Sequence, residues 1–503
     1  MLKIPLATWI ANAAVGLTGL YGDVTRQAGL TDCSRQTIYD HAHKVRAALI
    51  LENRRLAQEN DQLWRWLEEA IEFPVVKQHE FVAIATAMGL SLNQVLALLA
   101  LILGQRACPG RSTLHRWIQL AGLAAGQVLK LLDARCRALV LVGCLDEIFF
   151  HGRPILVGVE PASMTWFLGR KADDRTGATW AEALRDWDAL SFVAADAGKG
   201  LQAGIAAVRR ERQEDGKPSL EGGLDVFHTT YEARRVLRRI WDRVERLWEN
   251  AEAASRRAVE SRRQGRDARG SASVASRAWR QAEAAFADYE RSEAGWRIAH
   301  GALAVFRPEG RLNDRAWASR QIALALPLLS GPEWSKVRGL LQAEGALTFL
   351  DRLHRQLGEA APEDPLRAEL VRLWWLRRRR PRADVTGPVA GAAHVAHLVQ
   401  EVVCRKMAPN WRESYAAVSG VLRGTVRASS AVECMNSVLR MHQSRLRTVS
   451  QGLLDLKRLY WNCREFREGK RRRHCPYELL GLTLPSYRFW DLLAMSTTAE
   501  GTA

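Results

Sequence analysis

The stretch Ala138-Leu139-Val140-Leu141-Val142-Gly143-Cys144-Leu145-Asp146-Glu147-Ile148-Phe149-Phe150 decides how this chain is read. Before it, apolar residues recur at helical spacing. Here they run on almost without interruption, rich in Val, Ile and Phe, as in a buried strand. His151-Gly152-Arg153-Pro154 is a turn, Ile155 to Val159 the returning strand, and Thr165 to Leu168 a third strand. Thr179 to Leu190 then has the pattern of an amphipathic helix. Ser191-Phe192-Val193-Ala194-Ala195 is a short buried strand ending at Asp196, Leu201 to Arg212 a helix, and Leu224-Asp225-Val226-Phe227-His228 a fifth strand. Three antiparallel strands followed by alternating helices and strands is the order of a ribonuclease-H-like domain.

On the N-terminal side the pattern is helical. Tyr21 to Ala48 reads helix, turn, helix, with the turn at Gly29-Leu30-Thr31 and Ser34 capping the second helix. Arg35, Gln36 and Tyr39 on that helix are side chains that reach base edges or phosphates. An ordinary helical hairpin has the same pattern. Leu49, Leu56 and Leu63 recur every seven residues, with Asn53, Asn60 and Leu67 at the alternating positions, which predicts a short dimerisation seam, although three heptads could equally pack on their own domain. After Pro74 come a helix over Phe81 to Met88, a turn at Gly89-Leu90-Ser91 and a buried helix over Leu92 to Leu103. Pro109-Gly110-Arg111-Ser112 then opens a second candidate recognition helix carrying Arg111 and Arg116, equally readable as a core helix.

On the C-terminal side no strand is evident from Thr229 to about Arg423, a Trp-, Ala- and Arg-rich helical segment with a loop at Gly265 to Ser276. The last helices begin near Ser430. The expected fold class is multidomain, α plus α/β. Residues 1–70 form a helix-turn-helix with its seam and 75–130 a second helical DNA-binding module. Residues 135–230 are the first part of a mixed-sheet domain, 231–425 an all-α insertion, 426–475 the last helices of the sheet domain and 476–503 a tail.

The 503 residues carry 73 Lys and Arg against 55 Asp and Glu, a net charge of +18, which points to a polyanionic partner. Arg outnumbers Lys 62 to 11, as suits bidentate phosphate contacts, although GC-rich codon usage explains the excess equally well. The longest apolar run, Val95 to Leu103, is far short of the ~20 residues a membrane span needs. Nor does the N-terminus resemble a signal peptide. The eight cysteines are scattered, without C-x-x-C pairs, so they read as reduced packing residues. A cytoplasmic, nucleoid-associated bacterial protein without membrane attachment is expected.

Asp146 interrupts an apolar strand, where a carboxylate is costly unless paired or bound to a cation. Asp196 follows another buried strand and precedes the flexible Ala197-Gly198-Lys199-Gly200. With the first and fourth strands adjacent, both can point at one spot. Two divalent ions held by such oxygens activate an attacking oxygen and stabilise a leaving one. A third carboxylate is expected from a helix: Glu433, sharing a polar face with Asn436, Ser437 and Arg440 while Val432, Met435 and Leu439 are buried. Ser430 and Glu433 also fit a capping box, a purely structural use of both.

Asp146, Asp196 and Glu433, with a long helical segment before the Glu, resemble the catalytic domain of DDE transposases with an inserted domain. Asp196-Ala197-Gly198-Lys199-Gly200-Leu201 is similar to the D-G-x-x-G-L segment of Mutator-like and related bacterial insertion-sequence transposases, Ala197 departing from the usual Gly. Asp225-Val226-Phe227-His228 resembles the C/D-x-x-H signature, and Glu433-x-x-Asn436 is similar to the family's terminal segment. The likeness covers roughly residues 138 to 470. It implies cleavage at transposon ends and strand transfer of the 3′-hydroxyl into target DNA. It also implies two Mg²⁺ ions (Mn²⁺ as a substitute) at the three carboxylates and a homodimer or larger assembly on double-stranded DNA. Asp225, His228, Asn436 and Arg440 would position the site. Lys199, Arg445 and Arg447 would hold phosphates, and Trp411 would stack on a flipped base or serve the core. Basic clusters also occur at Arg234-Arg235, Arg238-Arg239, Arg377 to Arg380 and Lys470 to Arg473. The rivals are a metal-dependent nuclease or resolvase on the same fold and a non-catalytic DNA-binding regulator.

Overall fold

The computed structural model describes residues 4–20, 22–70, 73–104, 107–379, 388–443 and 449–499. The chain divides into two compact units, Met1–Gln78 with Leu99–Cys108, and His79–Leu98 with Pro109–Ala503. Among the described residues, no helix is long and apolar enough to cross a membrane.

In the smaller unit, α1 (Leu6–Thr18), α2 (Asp23–Thr31) and α3 (Arg35–Ala70) pack on one another. Ala13, Ile38 and Ala42 are buried, and Gly16 lets α1 approach α3 so closely that a Cβ there would stand 2.7 Å from that of Ala42. The expected turn moves: Gly29 to Thr31 complete α2, and Asp32 takes the left-handed conformation at φ 50°. An Asp tolerates that conformation, and the following Ser34 Oγ accepts the Thr37 N–H at 3.1 Å as the expected cap. Past Ala48, α3 is exposed through Asp61, including Leu49, Asn53, Leu56 and Asn60; the side chains of Leu63 and Leu67 lie outside the described ones.

Next come α4 (Val75–Met88), α5 (Leu92–Leu103) and α6 (Arg111–Cys136). The Gly89 turn is where expected, at φ 112°. Helix α5 is not the buried helix expected: Val95 and Leu99 are fully covered, but Leu98, Leu101 and Ile102 are exposed, because one stripe alone finds packing partners. The candidate recognition helix is only the first turns of α6. This long helix packs in the larger unit against α18 (Gln451–Cys463), with Gly122 and Gly452 in backbone contact.

The sheet orders as β3-β2-β1-β4-β5, from β1 (Val142–Phe150), β2 (Arg153–Glu160), β3 (Thr165–Lys171), β4 (Phe192–Ala195) and β5 (Glu221–Leu224). Strands β1, β2 and β3 are antiparallel, while β4 runs parallel to both β1 and β5. Between β1 and β2, His151 and Gly152 both have positive φ, the geometry of a two-residue hairpin turn. Helices α7 (Gly177–Leu184) and α8 (Lys199–Glu214) join the parallel strands; α7 is shorter than the predicted Thr179 to Leu190.

Side chains alternate between two buried faces. Leu145, Leu156, Val193 and Ala195 share one core with α6, α7, α8 and α18. Cys144, Ile148, Val157 and Ala194 share another with Val432, Met435 and Leu439 of α17 (Ser430–Gln443).

Between β5 and α17 the named elements are all helical, as expected: α9 (Val226–Arg263), α10 (Arg269–Ala302), α11 (Arg315–Ala325), α12 (Ser335–Gln342), α13 (Thr348–Ala360), α14 (Asp364–Arg379), α15 (Pro388–Met407) and α16 (Trp411–Gly424). Helices α9 and α10 pair through aromatic contacts such as Trp248 with Trp279 at 5.1 Å. The loop between them is shorter than Gly265 to Ser276. Gly265 turns at φ 68°, the Asp267 carboxylate accepts the Arg269 N–H at 3.0 Å, and the Ala- and Ser-rich run continues as helix. After α18, α19 (Pro476–Leu480) and α20 (Phe489–Ala499) complete the core around Tyr477 and Leu492, so residues 476–499 are more than a loose tail.

Candidate active site

Register and a period of two assemble the site. Leu145 pairs with Ala195, and Ala195 with Leu224, across the parallel strands. Asp146, Asp196 and Asp225 each follow one of these residues, so three carboxylates align at the C-terminal edge, where open α/β sheets bind ligands. Asp146 lies between Cys144 and Ile148 on the face that α17 covers, and Asp196 continues the alternation of Phe192 and Ala194 on that face.

The half-buried Asp146 accepts the Glu147 N–H at 2.8 Å and the Asn436 side-chain amide at 2.6 Å. Burial pushes its carboxyl up to about 7. The charges of Asp196 and Glu433 act in the same direction, against the Glu147 N–H and His228. The three expected carboxylates therefore share one electrostatic environment. Glu433 comes from the first turn of α17 and takes a hydrogen bond from Arg440 at 3.2 Å. No capping bond runs between Ser430 and Glu433; the turn opens instead with Val432 and Glu433 N–H groups on the Ser429 carbonyl. Asn436 is buried rather than on the open face, tying α17 to β1, and its Oδ1 has no hydrogen-bond partner. Ser437 and Arg440 are exposed.

Ala197-Gly198-Lys199-Gly200 is not a flexible loop. Gly198 N–H bonds the Asp196 carboxylate at 2.9 Å, Gln202 bonds the Asp196 carbonyl at 2.6 Å, and Lys199 starts α8. A Cβ on Gly200 would stand 1.8 Å from the Arg175 carbonyl oxygen, so this glycine admits the backbone just before α7.

Asp225 and His228 are not on a strand. The fifth strand ends at Leu224; Asp225 caps α9 by accepting the Phe227 N–H at 2.7 Å, and His228 lies in its first turn. The signal was the apolar spacing of Val226, Ala233, Val236 and Ile240, which is helical from 226 onward. The buried Asp225 also accepts the Ser429 hydroxyl, and His228 Nδ1 lies 3.6 Å from its carboxylate, an ion-pair distance. Burial works to raise the Asp225 pKa, but His228, Ser429 and Phe227 outweigh it and hold it below the usual carboxylate value. Asp225 in turn raises the His228 pKa, with Asp196 and Asp146 contributing, which sets this imidazole beside the carboxylates. Ser429, which joins the starts of α9 and α17 through Asp225, went unrecognised in the sequence because its partner is 204 residues away.

Arg35, Gln36 and Tyr39 are exposed at the start of α3, with Gln36 bonded to Asp40 at 2.9 Å; Arg111, Arg116 and Lys199 are exposed as well. Of the two roles expected for Trp411, the structure supports the core one. It is buried in the core with Val418, Leu422 and Trp374, where no base can reach its faces. Arg445 and Arg447 lie outside the described residues.

The donor set at Asp146, Asp196 and Glu433 is all oxygen, the chemistry of a hard divalent cation; the Asp146 pKa is raised first by burial and further by the charges of Asp196 and Glu433. Among the described residues, however, no group of three or more His, Cys, Asp or Glu side chains forms a ready metal cage, and Asn436 and Arg440 hold two of the three carboxylates. Compared with protein families, curated proteins and solved structures, the chain matches none.

Proposed function

We propose that the protein is a DDE-type transposase: a ribonuclease-H-like domain, interrupted by an all-α insertion, that cuts DNA at transposon ends and joins the 3′-hydroxyl to target DNA. The observation that carries this reading is the register-aligned pair Asp146 and Asp196, with Glu433 delivered to the same face by α17 and both acidic neighbours raising the Asp146 pKa. The sheet order and the helical segment before α17 support the same fold.

Asp146, Asp196 and Glu433 would hold two Mg²⁺ ions, which supply charge neutralisation for attacking and leaving oxygens in a phosphodiester displacement. Asn436 orients the Asp146 carboxylate from α17. His228, whose pKa Asp225 raises, stands at the edge of the cluster as a candidate donor to a phosphate oxygen. The exposed Arg35, Gln36 and Tyr39, with Arg111 and Arg116, suit reading of double-stranded ends by a homodimer or larger assembly.

Labelled duplexes carrying the DNA that flanks the coding sequence, incubated with Mg²⁺ or Mn²⁺ and a target plasmid, test the proposal. Nicks at defined ends and joined products are expected. Asp146→Asn and Glu433→Gln each lower both by at least about 10²-fold, the usual scale for losing a group that acts on the transition state. Cutting without joining would make the protein a nuclease; wild-type behaviour in both variants would remove the active site from its function.

A further inference from the structure

A cleft of about 1120 Å³ opens in the helical segment. Arg377, Arg378 and Arg379 end α14 on one side. Arg423 and Arg427 flank the end of α16, and Lys470 and Arg307 add to the lining, with no carboxylate among the described residues that line the cleft. Arg307 is engaged with Asp314, and Arg427 donates to the Leu303 carbonyl at 2.9 Å. The three arginines of α14 are exposed and held on aromatic faces instead. The Arg378 guanidinium is 4.9 Å from the Trp374 ring centre, that of Arg379 4.6 Å from Trp375, and that of Arg377 6.0 Å from Tyr415.

A ring face fixes a guanidinium without using its N–H donors, so these side chains are pre-set to receive anions. Concentrating like charges is unfavourable unless a polyanion neutralises them. Burial partly desolvates Arg427 and lowers its pKa. The wall of the cleft also runs directly into the candidate active site. Thr425 and Arg427 line it, the Arg427 carbonyl accepts the Val226 N–H at 3.0 Å, and Ser429 two residues on bonds Asp225.

We propose that this cleft binds the phosphate backbone of the DNA duplex next to the bond being cut, with Arg377, Arg378, Arg379 and Arg423 as its phosphate ligands. The assignment rests on the reading of the protein as a DNA-processing enzyme and adds the surface that holds the substrate. The cleft contacts backbone, so it contributes affinity and position rather than sequence choice.

Salt-dependent binding of a fluorescein-labelled duplex of mixed sequence to the full chain, followed by anisotropy, tests this. Replacing Arg377, Arg378 and Arg379 together by Gln should reduce the slope of log K against log salt by about 2 to 3 and weaken binding on the order of 10²-fold at about 0.15 M salt. The triple Lys variant keeps most of the slope. Arg423→Gln alone lowers it by about 1. Replacing Arg257, Arg262 and Arg263, exposed at the far end of α9, by Gln removes as much charge and should leave it unchanged. An unchanged slope in the α14 Gln variant, or an equal loss in the α9 control, overturns the cleft. If the wild type binds through the cleft but cuts no DNA, the catalytic reading fails and the cleft stands. If cutting depends on Asp146 but binding ignores the cleft arginines, the reverse holds.

Discussion

Asp225 shows how one carboxylate can hold a site together without joining its chemistry. It accepts the Phe227 N–H that would otherwise be unpaired at the start of α9, accepts the Ser429 hydroxyl ahead of α17, and faces His228. Asp225→Ala should destabilise the larger unit by about 2–4 kcal/mol, since it removes a cap and strands a buried hydroxyl. Asp225→Asn keeps one oxygen to accept the Phe227 N–H but places an NH2 donor where the second carboxylate oxygen accepts the Ser429 hydroxyl, so it should recover only the capping part of that loss in urea unfolding. An Ala variant as stable as wild type would refute the role. Asp146 and Asp196 were legible in the sequence because the first interrupts an apolar run and the second directly follows one. The part played by Asp225 was not, since five residues of strand and the first turn of an amphipathic helix look alike until the helical spacing of α9 is followed further.

At the scale of elements, the crossing of α7 and α8 fixes Asp196. A Cβ on Gly200 would meet the Arg175 carbonyl at 1.8 Å, and one on Gly204 would meet the Trp180 Cβ at 2.4 Å. Gly200→Ala should cost about 1–3 kcal/mol by overpacking and lower DNA cutting as well, because α8 begins three residues after Asp196. Thermal melts and cutting assays on the same sample check both. Helix α18 makes a separate, pH-dependent prediction. Lys457 is buried, donates to the Ala87 carbonyl at the end of α4 at 2.9 Å, and is pushed by burial from 10.5 down to about 8. Between those values the unfolded chain holds a proton that the folded chain has released, so raising the pH through this window stabilises the fold. Urea unfolding should show wild type gaining on the order of 2–3 kcal/mol relative to Lys457→Met between pH 8 and about 10. Parallel pH profiles for the two proteins would contradict this.

For the molecule as a whole, the segment of α3 carrying Leu49 and Leu56 is exposed within its own unit. The homodimer expected from the heptad pattern would use this seam. Leu49→Lys with Leu56→Lys should then halve the mass measured by light scattering while the helix-turn-helix retains its fold; a monomeric wild type would remove the seam from the assembly. The larger unit holds α6 and α18 to α20 together with the sheet in one core. Residues 109–130, expected to complete a separate DNA-binding module, fall within the larger unit, where Ala125, Val128 and Leu129 join that core. Trp411 belongs to the core of the helical segment for a similar reason: its neighbours Trp374, Val418 and Leu422 are brought to it by packing that no local pattern announces.

The sequence by itself determined the elements and their order, because apolar periodicity, caps and turn glycines are local and act within a few residues. It also marked Asp146 inside an apolar strand, Asp196 just past another, and Glu433 on the polar face of a late helix. Only the tertiary structure decided that Asp146, Asp196 and Asp225 stand in register, that Asn436 and Ser429 tie α17 to the sheet and to α9, and that seven scattered cations line one cleft. Those arrangements depend on strand pairing and helix packing between residues tens to hundreds of positions apart. Their energies are realised only when both sides are present, so no window along the chain contains them.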